Sequence, residues 1–213
     1  MLCPLRLRLF LRALLASPEA DATVYLASLL RLQHEDLALH SLRVADLADR
    51  LAIALGWSAP ARQDLALGAL LHDLGKLLVP RELLLADRRL SPDERMEVER
   101  HPLLGVQLLA DVALPASIVD AVAHHHERWD GSGYPLGLAA GRIPLSARLV
   151  AIADVYDTMT NPRPYAPTLS PAEAVDALCA ESGSHFDGAL LQRCIEILDP
   201  KPLAPLTSDH LEA

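Results

Sequence analysis

Apolar residues recur at spacings of three and four along most of this chain, the interval that gathers them on one face of an α-helix. The pattern predicts helices over about 4–15, 21–32, 34–56, 60–74, 92–111, 115–126, 144–160, 171–181 and 187–198, with ends good to about 2–4 residues. Two helix starts are marked chemically. Ser91-Pro92-Asp93-Glu94 and Ser170-Pro171-Ala172-Glu173 each place a Ser cap before a Pro at the first helical position, with a Glu three residues on to close a capping box. One stretch breaks the pattern. Residues 127–143, ERWDGSGYPLGLAAGRI, are rich in Gly and read as a long ordered loop, a kind of segment that more often carries function than not. The expected fold is all-α: a single helical bundle over 21–199, preceded by a short helix or extension over 1–20 and followed by a flexible tail over 200–213.

Composition supports this picture. Leu alone makes up roughly a fifth of the 213 residues while aromatics are 4%, a balance that favours helix over strand. With 19 basic against 28 acidic residues the net charge is −9, which argues against a DNA- or RNA-binding surface built on phosphate neutralisation. A phosphate-bearing ligand would need locally concentrated positive charge. Cys3, Cys179 and Cys194 form no CxxC pair, so neither a disulfide framework nor a zinc knuckle is expected, and a reducing, cytoplasmic location fits. Arg6, Arg8 and Arg12 interrupt the apolar start, which reads as an amphipathic helix rather than a signal peptide, and no run is long enough to span a membrane.

The candidate chemistry lies where polar residues interrupt apolar helices. His72-Asp73-Leu74-Gly75-Lys76 ends the helix LALGALLHD and places an imidazole, a carboxylate and an ammonium within about one turn. Neutral His and ionised Asp are costly to bury together unless a cation takes electron pairs from both. Asp36 and His40 are four apart and share a helix face, which continues to Arg43. His101 opens or interrupts HPLLGVQLL, His125-His126 end ASIVDAVAH beside the Gly-rich loop, and Asp154 sits in the apolar helix ARLVAIADVYD. Mixed imidazole and carboxylate donors suit iron, manganese or zinc, and an aspartate can bridge two ions.

In this order, and with HHERWDGSGYP at 125–135, the residues resemble the HD-GYP subgroup of the HD-domain metal-dependent phosphohydrolases, over about residues 25–197. The resemblance implies a helical bundle around two or three divalent ions, iron first and manganese as the alternative, that hydrolyses cyclic di-GMP to pGpG and in many members to GMP. It makes His40, His72, Asp73 and Asp154 ligands of one ion and Asp73 the bridge to a second, held by His101 and His125 with His126 beside it or on a third. Asp36 stands where three-metal members carry the longer glutamate, so two ions are favoured on ligand count. Lys76 matches the lysine of the HDxGK motif and is expected, with Asp73, to serve catalysis at the scissile phosphate; Arg163 matches a phosphate-contacting arginine. Tyr134 and Pro135 flank substrate, and Gly133, Tyr134 and Pro135 form the loop associated with contacts to GGDEF-domain diguanylate cyclases. The implied mechanism is attack by a hydroxide shared between the ions on the phosphodiester, with Lys76 and Arg163 stabilising oxygen charge.

Other residues carry blander expectations. His34, His124, His185 and His210 have no motif partner; Glu127 is expected to orient a ligand histidine; Arg43 is expected to pair with carboxylates around the ligands. Trp129 and Asp130 can lock the start of the loop, in which Gly131, Gly133 and Gly137 serve as loop formers unless substrate approaches their backbone. Ala166 replaces a basic residue common after RPY, and FDG at 186–188 replaces FDP, a change expected to bear on the helix start. Two alternatives remain beside the phosphodiesterase: a cyclic di-GMP- or GGDEF-binding adaptor with weak or no turnover, and an HD hydrolase of another nucleotide.

Overall fold

The computed structural model describes residues 4–15, 35–161 and 168–198. Among them are ten α-helices: α1 (Pro4–Leu15), α2 (Glu35–Ala54), α3 (Ala59–Leu71), the single turn α4 (Arg81–Leu84), α5 (Pro92–Glu99), α6 (His101–Leu109), α7 (Ala116–His124), α8 (Leu145–Thr160), α9 (Pro171–Ala180) and α10 (Gly188–Leu198). The all-α expectation is borne out, since the described residues contain no strand and only one isolated bridge, between Ser182 and Phe186. The predicted helix over 21–32 lies outside the described residues, as do Arg163, Ala166, His34 and His210.

Both capping boxes form. Ser91 and Ser170 accept from the backbone N–H of Glu94 and Glu173, whose carboxylates reach back to the cap N–H groups. Asp187 caps α10 in the same way, accepting from the N–H groups of Ala189 and Leu190, so FDG starts this helix through its aspartate.

The helix expected over 92–111 is two helices, α5 and α6, separated at Arg100. Pro102 is the physical reason. It has no N–H for the carbonyl of Val98 four residues back, and its ring crowds that turn. The helix expected over 60–74 closes at Leu71, and the chain continues through His72-Asp73 into a 3-10 helix over Leu74–Leu78.

Two groups of buried side chains hold the bundle together. One joins α2, α3, α7, α8, α9 and α10 through Val44, Leu51, Leu65, Ala121, Ile152, Leu178 and Leu191. The other joins α1, α3, α6 and α7 through Leu7, Leu11, Leu71, Leu74, Leu108 and Val122. The inner face of α1 is therefore part of the packed interior, while Leu5, Leu9 and Phe10 are exposed. The 3-10 helix packs directly on α6, and Gly75 makes this possible, since a Cβ there would lie 1.9 Å from the carbonyl oxygen of His101. That contact sets the distance between the His72-Asp73 turn and the helix that starts with His101.

Candidate metal centre

Three of the predicted histidines sit at helix ends, and each uses the same local device. The last carbonyls of a helix lack intrahelical partners. His72 Nδ1 meets the carbonyl of Ala69 at 2.6 Å, His101 Nδ1 that of Val98 at 2.8 Å, and His125 Nδ1 that of Val122 at 3.0 Å. A carbonyl oxygen only accepts, so each Nδ1 carries the proton and each neutral ring presents an Nε2 lone pair away from its helix. At His101 the accepting carbonyl is the one Pro102 leaves without its helical donor.

Those Nε2 atoms converge on Asp73. His101 Nε2 lies 3.2 Å and His125 Nε2 4.0 Å from Asp73 Oδ1, while His72 Nε2 lies 3.4 Å from Oδ2. His101 and His125 bring their Nε2 atoms within 3.3 Å of each other. Two lone pairs at that separation repel unless a proton or a cation lies between them, and donors about 2.1 Å from a common ion stand roughly 3–4 Å apart. Asp73, His101, His125 and His126 form one group of mutually close donor atoms; His40, His72 and Asp73 form a second, with Asp73 in both. His72 and Asp73 are each only 1% exposed, and His72 Nε2 and Asp73 Oδ1 have no hydrogen-bond partner. Orphaned buried acceptors are costly, and cations would satisfy them. These donor sets are thus able to hold metal ions, and the shared aspartate suits a pair of them.

Charge around the site is polarised. Burial works against ionised Asp73, yet Lys76, His72 and His101 hold its carboxyl well below the usual range, with Lys76 Nζ donating to Oδ2 at 2.6 Å. Burial pushes His125 well down and His126 down to about 3, so both rings are neutral, the form that can donate an electron pair to a cation. His40 is the contrast. Burial alone would lower it, but contacts with Asp154 and Asp157 outweigh burial and raise it to about 9. Its Nε2 lies 3.1 Å from Asp154 Oδ1 and its Nδ1 2.7 Å from Asp157 Oδ2.

The structure brings together His40, His72, Asp73, His101, His125, His126 and Asp154, with Lys76 on the shared aspartate. Asp36 is exposed and belongs to neither donor group. The Tyr134 ring stacks on His126 with centroids 4.7 Å apart and stands edge-on to His101 at 6.4 Å, which places the GYP loop against the site. A Cβ at Gly133 would meet the backbone nitrogen of Arg128 at 2.3 Å, so this glycine is needed for the loop to fold onto its own start. Pro135 follows Tyr134 through a cis peptide.

Glu127 corrects one expectation. It orients no ligand histidine; its two oxygens accept from the N–H groups of Leu136 and Leu138, at 2.8 and 2.9 Å, and tie the loop down. Trp129 and Asp130 lock the loop start as expected, through N–H bonds to the carbonyls of His185 and Ser184. Arg148 completes the attachment from α8, bonding the carbonyl of Ile143 and the carboxylate of Asp187 while its guanidinium covers Trp129. Arg43 does pair with a carboxylate, but that carboxylate is Asp157, a residue the sequence reading did not single out. The spacing carried a signal for it, because Asp154 and Asp157 are three apart and share a face of α8.

Residues 25–190 match the family model described as HD domain. A cyclic di-GMP phosphodiesterase of Pseudomonas aeruginosa is 39% identical over 184 residues, covering 85% of this chain and 44% of that protein. The cyclic di-GMP phosphodiesterase response regulator RpfG of Xanthomonas campestris is 39% identical over 158 residues, covering 73% of this chain and 41% of its own length. The chain therefore spans less than half the length of these curated relatives. In fold it is similar to the crystal structure of a cyclic GMP-AMP-specific phosphodiesterase of Vibrio cholerae, with a TM-score of 0.66 and 19% identity over 84% of this chain and 48% of that one.

Proposed function

The chain belongs to the HD-domain family, as the resemblance in its motifs implied, and on that premise we propose that it is a metal-dependent phosphodiesterase hydrolysing cyclic di-GMP to pGpG. The observation that carries the reading is the buried Asp73 shared by two groups of converging donors, with its Oδ1 orphaned. His101, His125 and His126 with Asp73 would hold one ion, and His40, His72 and Asp73, with Asp154 beside His40, the other. When bound, a pair of divalent ions activates a water for attack and screens the phosphate charge. The donor chemistry suits iron or manganese, and with Asp36 outside both groups two ions are favoured over three.

The chain's own groups supply the rest. Lys76 brings a positive charge to the edge of the site, where it offsets the phosphodiester anion and can stabilise charge on its oxygens. Its contact with Asp73 keeps that ammonium positioned before substrate arrives. Tyr134 walls the site from the loop side, and Arg163 is assigned the second phosphate contact on sequence alone. A GGDEF-domain partner would meet Leu136, which is 63% exposed, rather than the Tyr134 ring face taken by His126. No described helix is long and apolar enough to cross a membrane. We place the protein in the cytoplasm, on the free thiols of Cys179 and Cys194 and a cytoplasmic messenger as substrate.

The test is an anaerobic product assay with Fe2+ or Mn2+. Wild-type protein is expected to convert cyclic di-GMP to pGpG, and Asp73→Ala to lose bound metal and turnover together. Turnover retained by Asp73→Ala would overturn the mechanism. Binding of cyclic di-GMP with no product over hours in metal-loaded protein would favour an adaptor, and preferential cleavage of a cyclic dinucleotide with another base would reassign the substrate.

A further inference from the structure

His72, His101 and His125 are oriented by carbonyls at helix ends, and His40 has none to use. It lies inside α2, which runs from Glu35 to Ala54, so the carbonyls of the preceding turn are engaged in the helix ladder. Another acceptor must fix its ring. We propose that Asp157 is the positioning residue for His40, doing from α8 what a helix-end carbonyl does for the other three.

The geometry is specific. Asp157 Oδ2 lies 2.7 Å from His40 Nδ1, and Asp157 is 3% exposed. With the Nδ1 proton held on this carboxylate, a cation that displaces the Nε2 proton would meet that nitrogen's lone pair beside His72 and Asp73, the donors it is grouped with. Asp157 cannot easily turn to become a ligand itself. Its Oδ1 accepts from Arg43 Nε at 2.6 Å and Asn161 Nδ2 at 2.9 Å, and Oδ2 also accepts from Arg43 Nη2 at 3.0 Å. Four donors on one carboxylate occupy its lone pairs, and the bidentate guanidinium offsets its charge. Asp154 and Asp157 thus divide two jobs along one face of α8: Asp154 stands beside Nε2 at the metal side, and Asp157 grips the far nitrogen. Asn161, which holds the same carboxylate, caps the C-terminal end of α8.

This inference rests on the metal reading above, and the test separates the two. Metal-stripped protein is titrated with Co2+ alone, following calorimetry and the visible d–d absorption, with thermal melting to verify the fold. Wild type is expected to take two ions. Asp157→Ala is expected to bind one with wild-type affinity and the other at least 10-fold more weakly, because only the His40 group is disturbed. If Asp157→Ala does not fold, Asp157→Asn keeps the shape and is expected to weaken the same ion alone. Two ions of unchanged affinity in the variant, or equal weakening of both, would overturn the positioning role. A wild type that binds no Co2+ would overturn the metal reading itself and this inference with it.

Discussion

Replacing Gly75 by alanine tests the packing that holds the two donor groups in register. The added Cβ would sit 1.9 Å from the carbonyl oxygen of His101, 2.6 Å from the nitrogen of Gly105 and 2.8 Å from the carbonyl carbon of His101. All three are backbone atoms, so no side chain can swing away. Ordinary contact begins near 3.4 Å, and α6 must retreat from the 3-10 helix by roughly 1.5 Å, a shift of the kind that costs about 2–4 kcal/mol in a packed interior. In a domain of this size that is a fall in melting temperature of roughly 5–15 °C. The same retreat carries His101 away from Asp73 and His125, now 3.2 and 3.3 Å from its Nε2, so an ion held there should bind more weakly than one held by the His40 group. Urea or thermal unfolding reads the first effect and metal titration the second. Gly141→Ala is the matched control, because nothing lies within 4 Å of a Cβ there, and its stability should stay within about 0.5 kcal/mol of wild type. A Gly75→Ala protein as stable as that control, with both ions bound normally, would refute the argument.

Further outcomes follow from the loop attachments and from charge. Glu127→Gln leaves one acceptor oxygen for two N–H groups, so Leu136 and Leu138 should exchange their amide protons faster, with about 1–3 kcal/mol of local stability lost; unchanged protection would count against the tie. In a Trp57→Phe background, Arg148→Ala should red-shift Trp129 fluorescence as the covering guanidinium is lost, and an unshifted spectrum would show that Arg148 does not shield the ring. Burial, with Arg128 nearby, pushes His185 down to about 4. The unfolded chain takes up this proton below about pH 6.5 while the folded protein resists until about 4, so stability from this group is present above the higher value and lost as pH falls through that window. His185→Gln should therefore flatten the decline in unfolding free energy between those pH values, by at most about 3 kcal/mol before solvent screening; an equally steep decline would refute the assignment.

The sequence made the helices legible where periodicity and capping agreed, as at Ser91 and Ser170. It was misleading at 92–111, where apolar spacing continues across Pro102 although the backbone does not. The donors were readable because each interrupts an apolar face, and the HDLGK and HHERWDGSGYP strings fixed their order. Their orienting partners were less so. Carbonyls of Ala69, Val98 and Val122 belong to no residue type, and only the folded chain shows where a helix end leaves them open. Glu127 looked like a ligand's partner because it follows two histidines, but the turn after α7 aims it at the loop. Asp157 was hidden by Asp154, whose position in the same apolar helix had already explained why a carboxylate should be there.

The ties on residues 127–143 bear on how the site binds rather than on how it folds. A free loop of 17 residues must lose its conformational entropy when a ligand closes it, and that loss subtracts from affinity. Here Glu127, Trp129, Asp130 and Arg148 hold the loop before any ligand arrives, so its ordering belongs to the stability of the bundle. A cyclic dinucleotide would meet a wall already in place, and tightness of binding would follow how firmly the turn between α9 and α10 grips that wall.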